Sequence, residues 1–175
     1  DMYLQILKET IEEKKNGVIK EETPVKNIIN VDGYIPSKFE SNDLEKIDLY
    51  KKIDSLSNLK EIENFEIEIE DLYGKIPLNV KLLLEKKHLE ILGDILYIKN
   101  IVDTKQHIEV TLNKETSSID GIGIKLFDWT YKLSKDFNLS FKDGLIKIKL
   151  LKKEKNWISI MNSLLIQIKE EYYGG

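Results

Sequence analysis

Between Glu61 and Asp71 the chain places six carboxylates and no lysine. On a helix, such a stretch cannot neutralise itself through its own i,i+4 ion pairs, and Glu68 and Asp71, three positions apart, share a face. The residues suit either a solvated helix surface or a docking face for a basic partner. In the second case each charge-assisted contact contributes about 1.5–3 kcal/mol. A second cluster is basic. Lys142, Lys147, Lys149, Lys152, Lys153 and Lys155 lead up to Trp157, and cationic side chains beside an aromatic ring suit single-stranded nucleic acid. Lys147 and Lys149, however, alternate with Ile146, Ile148 and Leu150, which is also the pattern of a half-buried strand with one solvated face.

Catalytic chemistry finds little support. Neither GxxxxGK[ST] nor GxGxxG occurs, and Gly121-Ile122-Gly123 reads as a loop before a helix rather than a phosphate cradle. His88 falls on a helical line between Leu84 and Ile91, and His107 lies in a strand-like run. Neither belongs to a pattern of metal ligands, so both read as partly buried structural histidines. The serines lack a GxSxG context. The absence of cysteine excludes disulfides, thiolate metal sites and a cysteine nucleophile. All 27 basic residues are lysine, and arginine and alanine are both missing, a usage that codon bias in an AT-rich genome explains. Without arginine there is no guanidinium fork for phosphate and no arginine finger. A net charge of −4 gives no overall attraction to nucleic acid or anionic lipid. The expectation is a surface for a protein partner, with no catalytic residue, metal site or cofactor.

The elements that would carry these residues follow from periodicity. With 41% apolar and 33% charged residues, the chain has the composition of an ordinary globular protein. It contains no apolar run approaching the ~18 residues of a membrane span, and DMYLQILKET lacks the grading of a signal peptide; a cytosolic protein is expected. Residues 1–17 show helical spacing ending at Gly17, and residues 18–27 are a polar linker containing Pro24. The start at Asp1 rather than methionine suggests a fragment whose first helix belongs to a preceding domain. Ile28 to Val31 suits a short strand before a Tyr34-Ile35-Pro36 turn. A helix then follows Asn42, with Glu45 completing a capping box and an apolar face of Leu44, Ile47, Leu49, Tyr50, Ile53 and Leu56.

A third helix starts at Asn58, again with a glutamate, Glu61, three residues on. Its middle, FEIEIE, alternates as a strand would, but Leu59, Ile62, Phe65, Ile69 and Leu72 recur at three and four, and Gly74 and Pro77 supply a stop; helix is preferred. Pro77 opens a fourth helix at its first position, with Val80, Leu83, Leu84, Ile91 and Leu92 inward and Gly93 closing it. Ile95 to Ile101 and His107 to Leu112 read as a strand pair, and Ile122 to Phe137 as a helix. Leu139 to Phe141 and Leu145 to Leu150 read as a hairpin around Lys142-Asp143-Gly144, and Lys155 to Tyr172 as a closing helix. Three helices after a short strand, then antiparallel strands packed with two helices, make an α+β fold.

The stretch YIPSKFESNDLEKIDLYKKI resembles the start of the C-terminal domain of the bacterial transcription-repair coupling factors (Mfd). Tyr34, Ile35, Pro36, Phe39, Ile47, Leu49, Tyr50, Lys51 and Ile53 match that pattern. EIEDLYGKIP, residues 68–77, resembles the family's Glu-Leu-Ile-Asp-Arg-Phe-Gly-x-x-Pro. Glu40 and Ser41 depart from the usual Ile-Pro, and Lys52 and Leu72 each stand where the family has arginine. The resemblance implies a C-terminal regulatory domain over residues 28–172, with residues 1–17 as the last helix of the preceding motor region. It implies a parent protein that is an ATP- and Mg2+-dependent DNA translocase, which removes stalled RNA polymerase from DNA and recruits UvrA through an N-terminal UvrB-like module. The C-terminal domain of such a protein packs on that module, masks the UvrA-binding surface and restrains the motor. The family's acidic docking residues map onto Glu68 and Asp71. The alternative expectation is a nucleic-acid-binding module using the basic strand from Lys142 to Trp157.

Overall fold

The computed structural model describes residues 43–174. The N-terminal helix, the linker, the strand at 28–31, the Tyr34-Ile35-Pro36 turn and the Asn42 cap lie outside the described residues. Three helices come first: α1 (Asp43–Ser55), α2 (Leu59–Tyr73) and α3 (Leu78–Ile95). A hairpin of β1 (Asn100–Asp103) and β2 (His107–Thr111) leads to a four-residue α4 (Lys114–Ser117) and to α5 (Ile122–Leu133). The hairpin of β3 (Phe137–Lys142) and β4 (Leu145–Leu151) precedes α6 (Trp157–Tyr172). The strands form one antiparallel sheet in the order β1-β2-β4-β3. The α+β expectation holds, with α4 added to the two helices expected among the strands.

Two cores result from the way apolar residues are distributed. The smaller gathers Ile53, Phe65, Ile69, Ile76, Val80 and Leu84 from α1, α2, the loop after α2 and the first half of α3. The larger packs Leu89, Leu92 and Leu96 with the inner face of the sheet, Leu126 of α5 and Met161, Leu164 and Ile168 of α6. Helix α3 therefore serves both, its first half on one core and its second half on the other. Across the sheet, Ile101, Val110, Ile148 and Leu139 stand in one register row, so period-two alternation on each strand lines up a single apolar surface. Asn162 locks α6 to α3 by donating to the Glu85 carbonyl (3.0 Å) and to its carboxylate (2.7 Å).

The FEIEIE conflict resolves as helix: Ile62, Phe65 and Ile69 are buried, while Ile67 faces solvent. Several boundaries differ from expectation. Pro77 is the N-cap of α3 rather than its first residue. Gly93 does not close the helix, which continues to bury Leu96 against the larger core; Leu89, rather than the half-buried Leu83, is the inward residue of its middle. Tyr97 takes the left-handed position, at φ 50°, with its N–H donating to Asp94 O (3.2 Å) and that of Ile98 to Gly93 O (3.0 Å). This is a Schellman cap with tyrosine where glycine is the rule. The first strand consequently begins at Asn100, not Ile95. Helix α5 stops at Leu133, and Phe137 opens β3 instead of ending a helix, because sheet pairing with Leu150 claims it. In α1 Ile53 is buried, whereas Ile47 and Tyr50, also expected inward, are exposed. The β3–β4 hairpin turns as expected through Asp143 and Gly144, both at positive φ, the pairing that a two-residue type I′ turn needs.

Candidate docking face

Helix α2 is fixed at both ends by its own sequence. Asn58 accepts from the Glu61 N–H at 2.8 Å, and the Glu61 carboxylate accepts from the Ser57 hydroxyl (2.9 Å) and N–H (3.3 Å). One orphan donor of the helix start, the Glu61 N–H, is thereby satisfied, and the Glu61 carboxylate reaches back to Ser57 rather than to the Asn58 N–H of a full capping box. At the other end Gly74, at φ 82°, donates to Glu70 O. Between these caps Ile62, Phe65 and Ile69 are buried, the last two in the smaller core, which turns Glu68, Glu70 and Asp71 outward.

The six acids are not equivalent. Glu61 belongs to the cap, and Glu63 lies 3.7 Å from Lys60. Glu66 is half-buried; burial first, then the charges of Glu85, Glu70 and Glu63, raise its pKa above the ordinary carboxylate value, with Lys81 opposing. Glu68, Glu70 and Asp71 are exposed. Glu68 accepts a hydrogen bond from Lys52 Nζ at 3.0 Å, bridging α2 to α1, while Asp71 makes no ion pair among the described residues. Both candidate residues thus occupy the same exposed C-terminal half of α2. A cleft of about 200 Å³ opens between α1 and α2, lined among others by Asp48, Leu49, Lys52, Glu68, Leu72 and Tyr73. Glu68 lines it; Asp71 stands one turn on, outside it.

Sequence reasoning missed Lys52, Asp48 and the exposed Leu72 as neighbours of Glu68. Asp48 and Lys52 are spaced i,i+4 on α1, a signal of a shared face, but nothing in the sequence turned that face toward α2. Chemically the arrangement is an anionic rim around a small apolar floor, with one internal cation on Glu68. It suits a basic surface flanked by apolar side chains.

The basic strand has a different character. Lys152 forms a buried ion pair with Asp103, a residue of the inward-facing row of β1, and its Nζ lies 4.3 Å from the centre of the Trp157 ring. Lys147 lies 4.0 Å from Glu109 on the neighbouring strand, and Lys149 stands opposite Glu109 in the register. The Trp157 ring, Lys152 and Lys147 are thus engaged within the fold, while Lys142, Lys153 and Lys155 are exposed. His88 is partly buried, and burial lowers its pKa below the ordinary 6.5, with Glu85 opposing. His107 Nδ1 lies 3.3 Å from Thr104 Oγ1 in the β1–β2 turn. Among the described residues no group of three or more His, Asp or Glu side chains is arranged to hold a metal ion, and none of the helices is long and apolar enough to cross a membrane. Gly121, at φ 79°, is the N-cap of α5, in keeping with a loop before a helix.

Comparison with known proteins agrees with this architecture. A transcription-repair-coupling factor of Staphylococcus haemolyticus is 30% identical over 170 residues, covering 94% of this chain and 14% of that protein. One of Bacillus subtilis is 27% identical over 175 residues, covering 97% of this chain and 15% of that protein. The chain therefore spans about one seventh of the length of these relatives. A crystal structure of the C-terminal domain of a transcription-repair coupling factor superposes with a TM-score of 0.62 at 22% identity, covering 83% of this chain and 93% of that one. The TRCF domain model matches residues 29–121, more than half of the chain, and this match takes in both the opening stretch and the acidic helix: the chain belongs to the TRCF domain family of the transcription-repair-coupling factors.

Proposed function

We propose that this domain is a non-catalytic, autoinhibitory interaction domain within a longer cytoplasmic transcription-repair coupling factor. It packs through the exposed half of α2 on a basic surface of an N-terminal UvrB-like module, masks the surface that binds UvrA and restrains the ATP-driven DNA translocase. RNA polymerase and DNA are met by other parts of that protein. The observation that supports this reading is the pair Glu68 and Asp71, exposed together on a helix whose ends are independently fixed. Preorganised carboxylates of this kind favour specificity and encounter with a cationic partner. ATP and Mg2+ belong in this reading to the motor, which supplies the phosphoryl chemistry. The described residues of this domain do not fit such a group, having neither a glycine-rich phosphate loop nor a cluster of metal-ligating side chains.

The test is Glu68→Ala with Asp71→Ala in the full-length protein, read as affinity for UvrA. Two charge-assisted contacts of about 1.5–3 kcal/mol each bias a closed state strongly, so their loss should raise UvrA affinity by at least tenfold. Unchanged affinity would refute masking through these residues.

A further inference from the structure

Helix α5 carries apolar residues on two faces. At 100° per residue, Ile122, Leu126 and Thr130 point to the larger core and are buried. Ile124, Phe127 and Tyr131 lie on the opposite side and are 79%, 66% and 78% exposed. A surface helix normally places polar residues at this pole. The two rings are stacked, with centroids 6.5 Å apart and planes 17° from parallel, so they present one pre-arranged aromatic surface. The charges along its edges are already engaged: Lys132 with Asp128 at 3.0 Å, and Lys125 with Glu171. The strip is therefore apolar at its centre and neutralised at its rim, unlike the anionic face of α2.

We infer that the Ile124-Phe127-Tyr131 strip is a second docking surface, whose occupant is an apolar, weakly charged face of another domain of the same long polypeptide. This rests on the reading above that the domain works within a longer coupling factor. Two observations select that occupant. The relatives are about seven times longer than this chain, so most potential neighbours of the domain are covalently linked to it. The strip is also small: aromatic side chains offer roughly 150–250 Å² each, so at these exposures the three residues present about 400 Å². A stable complex buries about 800 Å² per partner, and a second copy docking through this strip would fall well short. A linked partner that reaches the strip binds it as an intramolecular event, at a higher effective concentration than a free molecule, so a smaller apolar contact suffices. The engaged rim charges leave nothing for a strongly charged occupant to pair with.

The experiment replaces Phe127 with the photoreactive p-benzoylphenylalanine in the full-length protein, with the same replacement at exposed Asn138 of β3 as control. Irradiation should give an intrachain cross-link from position 127 to a residue outside these 175 residues, at least tenfold above the Asn138 background. A product confined to a second copy, a product within residues 1–42 of this chain, or a yield no higher than the control would overturn the inference. The result is separable from the α2 reading. Glu68→Ala with Asp71→Ala changes UvrA affinity if that reading holds, whereas the cross-link at 127 reports only on α5.

Discussion

Breaking the Asp103–Lys152 pair should cost more than removing it altogether. The Asp103 side chain is fully buried and that of Lys152 is one-tenth exposed, so each charge has exchanged water for its partner, and Lys152 also for the Trp157 face. Deleting one member removes this pairing from a charge held in the interior, at a cost of about 3–5 kcal/mol. Replacing both with apolar side chains removes the desolvation penalty together with the attraction and is close to neutral. Urea unfolding of the chain is a suitable assay. With a slope of about 2 kcal/mol/M, Asp103→Leu and Lys152→Met should each lower the midpoint by roughly 1.5–2.5 M, while the double variant should unfold within about 0.5 M of the parent. The coupling energy of the cycle should then be several kcal/mol, above the ~0.5–3 kcal/mol range of residues in ordinary contact. Single variants costing under about 1 kcal/mol each, and adding in the double, would refute the buried-pair argument. Such a result would return Lys152 and Trp157 to the surface as candidates for phosphate and base contact.

Three further outcomes are expected. Gly93→Ala should raise stability by about 0.5–1 kcal/mol, because Gly93 lies within a helix and a Cβ there meets only Ile101 Cδ1, at an ordinary 3.9 Å; Tyr97→Gly should also raise the melting temperature, relieving a left-handed tyrosine that costs about 1–2 kcal/mol. Phe65→Ala should destabilise by about 3–5 kcal/mol, whereas Glu68→Ala with Asp71→Ala should change stability by less than about 1 kcal/mol, since its one ion pair is half-exposed; comparable losses would mean the acidic pair is structural. Burial holds the folded His88 pKa below 6.5, so the unfolded chain takes up that proton first, and stability present above pH 6.5 is lost as pH falls through the folded value. Urea midpoints at pH 7.5 and 5.5 should therefore converge in His88→Gln relative to the parent.

Local signals in the sequence succeeded where local physics decides. The Asn58–Glu61 cap, the Asp143-Gly144 turn and the three-and-four spacing through FEIEIE each involve neighbours within one turn or one hairpin, and each forms as read. Failures concentrate where packing between distant elements overrides them. Gly93 carries the residue type of a helix end, yet burying Leu96 under the sheet draws the helix on to Ile95 and forces Tyr97 into the glycine position. Phe137 continues a helical apolar pattern, but its pairing with Leu150 makes it strand. The docking face shows the same division. Glu68 and Asp71 share a face by helix geometry alone, while the Lys52 contact on Glu68 spans 16 residues and depends on how α1 crosses α2. Helix α5 marks the limit most sharply. Apolar residues lie along both its sides, so periodicity identifies the helix without saying which side goes inward. The sheet decides, taking Ile122 and Leu126 and leaving Ile124, Phe127 and Tyr131 in water. Among the described residues this apolar face contributes to neither core, and that is the physical reason to look for an occupant beyond those elements.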